Sequence, residues 1–159
     1  MKQLFSSLSS QSNEIENTLL LFKQEQLTWV PETWDGIPGE RFSAIEQICH
    51  IRDIETDGYH QRIQAILTEN NPELASVAGY ELAIQRDYKN ADLKETITAF
   101  QEARKKTIAM IEAIDDEQWN RPAYFEGYGN ITLRSLLHFL CSHDLEHLAS
   151  LRWLLGKMG

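Results

Sequence analysis

The chain has little of what holds a small secreted or fibrous protein together. Two cysteines, Cys49 and Cys141, stand among 159 residues. Two thiols do not make a disulfide framework, so a reducing, cytoplasmic setting is expected. Four prolines and eight glycines are too few for a collagen-like or linker-like chain. Basic charge is scarce as well: 15 Lys and Arg stand against 24 Asp and Glu, a net charge of −9. A phosphate-backbone binder needs clustered cations. The single basic run, Arg104-Lys105-Lys106, is too short to offset that acidity, and no nucleic-acid partner is expected. No apolar run reaches the roughly 20 residues of a membrane span. The first ten residues lack the apolar core of a secretory leader, so neither a membrane partner nor export is expected. Strand-like alternation is missing too, and no strand is expected.

What remains is the composition of an ordinary soluble globule, 42% apolar and 25% charged. A chain of this length is expected to form a single domain over residues 1–159 with a sizeable core. Apolar residues recur at three- and four-residue spacing in four stretches, the period of a helix face. The first runs over residues 3–28, with Leu4, Leu8, Ile15, Leu19 and Phe22 on one side. Two prolines and two glycines then break the chain at residues 29–39, where Trp29 and Trp34 are expected to cover one end of the core. Ser43 and Glu46 form a capping box that starts a second helix. It continues to about Leu67, with Gly58 as a tolerable weak point. Residues 68–91 are irregular, with a short helix expected between Tyr80 and Tyr88. Asp92 with Glu95 caps a third long helix ending near Ile114. A further turn at 115–119 and a loop with Gly127 and Gly129 lead to Thr132, which caps a last helix over 132–155.

These features predict an all-α four-helix bundle. Short links make neighbouring helices antiparallel, but the link between the second and third helices is about 24 residues long. That is enough for a crossover that leaves those two helices parallel.

Five histidines are present: His50, His60, His138, His143 and His147. His143 and His147 lie one turn apart in the leucine stripe of the last helix, so their side chains are neighbours on one inward face. An imidazole in an apolar seam needs a hydrogen-bond partner or a metal. The pattern is not that of a zincin peptidase, which needs Glu directly after the first His; Asp144 stands there. A di-iron bundle needs two Glu-x-x-His pairs, and the nearest forms here, Asp57 with His60 and Asp144 with His147, use Asp. A mononuclear site needs a third ligand. His50 is the best candidate, although the helical wheel sets it beside Ile54 and among acids, away from the main apolar stripe.

Residues 43–51, SerAlaIleGluGlnIleCysHisIle, resemble the start of the second helix in the DinB/YfiT-like family of metal-binding four-helix bundles. Residues 143–151, HisAspLeuGluHisLeuAlaSerLeu, resemble that family's last-helix motif, and residues 115–121 followed by glycines and a Thr-Leu helix start keep the same order. The resemblance implies an up-down-down-up bundle. It also implies a divalent metal, zinc or nickel, on His50, His143 and His147, with His60 and His138 outside the site. Many such proteins are homodimers, and some use a low-molecular-weight thiol as S-transferases or isomerases. The function expected from it is a metal-dependent thiol S-transferase or hydrolase acting on a small molecule. The alternative is a non-catalytic bundle in which the metal ties two helices together. Asp53, Asp144 and Glu46 are the candidates for orienting an imidazole or holding a proton, each with a solvated or capping role as its plainer reading.

Overall fold

The structure is a computed structural model, and it describes residues 2–158. Helix α1 spans Lys2–Leu19. Helix α2 is continuous over 44–68 but is built in three parts: Ala44–Asp53, a π-helical turn Ile54–Tyr59, and His60–Thr68. Helix α3 is Gly79–Gln85, α4 is Leu93–Glu112 and α5 is Leu133–Met158. Four of these are long, as the periodicity predicts, and no helix is long and apolar enough to cross a membrane among the described residues.

The caps follow the sequence. Ser43 N–H and its hydroxyl both donate to Glu46 Oε2, at 2.9 and 2.6 Å. Asp92 Oδ1 accepts the Glu95 N–H at 2.8 Å, and Thr132 Oγ1 accepts the Ser135 N–H at 3.3 Å. Each satisfies a backbone donor that the first helical turn leaves free.

Three expectations are corrected. The first helix ends at Leu19, not at residue 28. Its last turn tightens, Lys23 turns extended and its N–H is taken by the Gln26 side chain. Leu20 and Leu21 are left exposed while Phe22 and Leu27 return to the core. Strands are present: β1 (Glu73–Leu74) pairs parallel with β2 (Pro122–Phe125), which pairs antiparallel with β3 (Gly129–Thr132). Segments of two to four residues are too short to show alternation. Gly58 lies in the π turn rather than in a plain α-helix. Single π turns inside helices recur at functional sites, and this one carries Glu55 into the interior.

The core has two apolar lobes. One gathers Leu4, Leu8, Ile63, Ile66, Leu133, Leu136 and Leu140 with Trp119 and Phe125 from the sheet region. The other gathers Ile15, Leu19, Ile45, Ile48, Phe100, Leu148, Leu151 and Leu154. Between them lies a polar layer. Ser12 on α1, Glu55 on α2, Arg104 and Thr107 on α4 and Asp144 on α5 are all buried there. Arg104 donates to Glu55 Oε1 (2.8 Å) and Oε2 (2.9 Å), to Asp144 Oδ2 (2.6 Å) and to the Leu8 carbonyl (2.9 Å). Thr107 donates to Glu55, and its oxygen lies 2.9 Å from His60 Nε2. One guanidinium thus joins all four long helices. The basic run at 104–106 is therefore not a surface feature at its first residue. Arg104 is buried and doubly paired, the arrangement a buried charge requires.

Candidate metal centre

The polar layer continues into a cluster of three imidazoles. His50 comes from the first part of α2, and His143 and His147 come from α5. One ring nitrogen from each lies within 4.8 Å of those from the other two. His50 Nε2 is 3.2 Å from His143 Nε2, which is 3.1 Å from His147 Nε2. His50 and His147 are buried, and His143 is partly exposed. The wheel argument against His50 fails because nearly the whole first part of α2 is buried, Ala44 through Ile51. A helix enclosed on all sides has no solvent face for periodicity to find.

Neighbouring groups fix how the rings present themselves. Gln47, fully buried, turns its amide N–H₂ toward the carbonyls of Phe42 (3.2 Å) and Glu40 (3.4 Å). Its Oε1 therefore faces His147 Nδ1 and accepts a hydrogen bond from that N–H. With the proton on Nδ1, His147 Nε2 carries a bare lone pair toward the cluster. His143 Nδ1 and Asp144 Oδ1 are buried, unpartnered and 3.8 Å apart, too far for a hydrogen bond. Burial, with the His143 ring beside it, pushes His50 down to about 3. Burial, with both neighbouring rings, pushes His147 well below its ordinary value. Those two rings are neutral at pH 7, the form that binds a metal.

The donor set fits a cation. Nitrogens bonded tetrahedrally at about 2.0–2.1 Å from one zinc-like ion are about 3.3 Å apart, close to the spacings here. Without a cation, lone pairs converge with too few protons to separate them.

Two glycines allow the close approach. A Cβ on Gly79, the first residue of α3, would lie 2.6 Å from His50 Cε1. Gly39, at φ +96°, would bring one within 2.6 Å of Glu146 Oε1. Gly39 lets the loop before α2 run against α5 and deliver Glu40. The Glu40 carboxylate lies 3.6 Å from His50 Nε2 and 3.9 Å from His147 Nε2. Tyr80 accepts the Arg41 N–H at 2.8 Å, and Trp34 stacks on Trp153 at 5.3 Å, so the loop is held at both ends. His50 and His143 open onto a cavity of about 290 Å³ lined also by Tyr59, Arg62 and Glu146, and His147 lies buried behind them.

Of the predicted orienting acids, none hydrogen-bonds an imidazole. Glu46 is consumed in the helix cap. Asp53 accepts from Tyr88 (2.6 Å), Arg52 (2.6 Å) and Arg86 (2.8 Å). Burial alone would raise its pKa, but hydrogen bonds from Arg52 and Tyr88 outweigh that and hold it below the usual carboxylate range. Asp144 is the nearest of the three, tied to Arg104. Sequence reasoning missed Glu40 and Gln47. Glu40 sits in a loop without periodicity, and Gln47 had only its place one turn before the Ile51 face to mark it. His60 bonds within the polar layer and His138 is exposed; neither reaches the cluster. Burial pushes both Cys49 and Cys141 up to about 11, so neither is a thiolate.

The family profile described as the DinB superfamily matches residues 8–151. Among solved structures, YfiT from Bacillus subtilis, described as a probable metal-dependent hydrolase with an unusual four-helix bundle topology, is 21% identical. That alignment covers 99% of this chain and 87% of YfiT, with a TM-score of 0.86. A DinB-like protein of Bacillus subtilis, YjoA, is 19% identical, with 99% of this chain and 92% of that one covered and a TM-score of 0.61. No curated protein matches the sequence.

Proposed function

The chain belongs to the DinB superfamily, and from that premise we propose that it is a divalent-metal-dependent hydrolase of a small molecule, with His50, His143 and His147 as the ligands. The observation that carries this reading is the convergence of three Nε2 atoms beside an open cavity that His50 and His143 line. YfiT's description as a metal-dependent hydrolase on the same fold supports it. When bound, zinc or nickel on three neutral imidazoles keeps its full charge, polarises an oxygen ligand and lowers the pKa of a coordinated water or thiol.

The chain's own residues supply the rest. Gln47 fixes the His147 tautomer, and Asp144 lends negative charge beside His143. Glu40 faces the open side and takes the proton from the attacking group. The open cavity supports a catalytic rather than a closed structural site. The rival reading keeps the same centre but uses a low-molecular-weight thiol, making the chain an S-transferase. With Cys49 buried, Cys141 only partly exposed and both thiols raised, that thiol would come from outside. The same reading takes the bundle order as up-down-down-up. Its support is that contacts between α2 and α4 advance together, Cys49 with Thr96 and Glu55 with Thr107.

The test is metal analysis of untagged protein, followed by screens for ester and amide hydrolysis and for thiol consumption. An equimolar divalent ion and metal-dependent hydrolysis are expected. Protein without metal, or with thiol consumption alone, would overturn the hydrolase reading.

A further inference from the structure

One buried charge has no role in that chemistry. Arg62, on the last part of α2, is 6% exposed. Its Nε and Nη2 donate to the Ala75 carbonyl at 3.2 and 2.8 Å. Its guanidinium carbon stands 4.6 Å over the Phe125 ring and 5.4 Å from that of Tyr59. These partners are a neutral oxygen and two ring faces. Among the described residues no carboxylate lies within ion-pair distance of it. The other guanidinium buried to this degree, Arg104, holds two carboxylates. A buried cation normally needs a counter-charge. Burial accordingly pushes the Arg62 pKa down.

Arg62 lines the same cavity as His50 and His143. The His143 ring is 6.3 Å from that of Tyr59 and Arg62 Cζ is 5.4 Å from it, so the guanidinium sits within about 12 Å of His143. At the histidine end the cavity is walled by Glu40 and Glu146.

We propose that Arg62 receives the substrate's carboxylate: the cavity takes a small organic acid whose anionic end lies on the guanidinium against Phe125 while its reacting group reaches the histidine cluster. This assignment of substrate class rests on the function proposed above. The two acids at the far wall repel an anion placed the wrong way round, which fixes orientation by exclusion as well as by attraction. One cation with two of its donors already spent matches one negative charge. A phosphate dianion carries about twice the charge that one guanidinium neutralises.

Calorimetric titration of hexanoate, its neutral isostere hexanamide and hexylphosphonate tests this, each into metal-free and cobalt-loaded protein. The expected result is hexanoate binding about tenfold tighter than hexanamide, with or without cobalt. That preference should fall to within twofold in R62Q and survive in part in R62K. Melting curves of both variants establish that they fold, and the wild-type comparison needs no variant at all. No acid preference in the wild type overturns the proposal. So does a preference that needs cobalt and ignores R62Q, which would put the carboxylate on the metal. Phosphonate binding tighter than hexanoate overturns the choice of carboxylate. Failure of the wild type to bind cobalt would sink the hydrolase reading and leave the metal-free titration to judge Arg62.

Discussion

Replacing Gln47 with Leu separates a ring that is held from a ring that is merely near. The side chain is fully buried and makes three hydrogen bonds, two as donor to the Glu40 and Phe42 carbonyls and one as acceptor from His147 Nδ1. Leucine has a similar volume and makes none of them. The buried His147 Nδ1–H loses its partner, a cost of about 1–3 kcal/mol to the folded state. The ring is then free to carry its proton on Nε2, where it blocks the lone pair that faces the cluster. Loss of such an outer partner lowers metal affinity about 10–100-fold, which corresponds to about 1.4–2.8 kcal/mol. The Glu40 carbonyl is released at the same time, so the loop that delivers the carboxylate loosens. Competition against a chromophoric chelator measures the affinity, and urea unfolding of the metal-free protein measures the fold. A zinc affinity in Gln47→Leu within twofold of the wild type would refute the claim that this amide sets the ring's tautomer.

Alanine at His50, His143 or His147 should each abolish stoichiometric metal, while alanine at His60 or His138 should not; elemental analysis of the five purified variants decides this. Arg104→Met leaves Glu55 and Asp144 buried without a counter-charge and should destabilise the fold by about 3–5 kcal/mol, read from denaturant midpoints. Gly79→Ala sets a methyl 2.6 Å from His50 Cε1. It should weaken metal binding more than it lowers the melting temperature of the metal-free protein. Burial is the main cause holding the His60 pKa below its ordinary value. The folded state therefore resists a proton that the unfolded chain accepts near pH 6.5. The contribution to stability is present above that pH and is lost as the pH falls below it. His60→Gln should show a smaller loss of stability than the wild type between pH 7 and 5.5 in urea titrations of metal-free protein.

The polar layer was partly legible in the sequence. Each long stripe breaks at one level: Leu4 and Leu8 give way to Gln11 and Ser12, Phe100 to Arg104 and Thr107, and Leu140 to His143 and Asp144. Read one helix at a time, those breaks look like surface residues or a basic run. They become one layer only when four helices stand side by side.

Local chemistry settled what the chain could decide within a few residues. Side-chain period, Ser43 with Glu46, Asp92 with Glu95 and Thr132 marked the helices, and a spacing of four put His143 and His147 on one face. Such signals act through bonds between neighbours in sequence, so the chain carries them in any fold. The third imidazole is 93 residues from His143, and Gln47 is 100 from His147. Glu40 and Arg62 owe their roles to a loop pinned by Tyr80 and to a sheet strand that offers Phe125. Those contacts exist only where packing brings distant segments together. Packing also left Arg62 buried with no carboxylate within ion-pair distance among the described residues, and a sequence records charges without recording which of them meet.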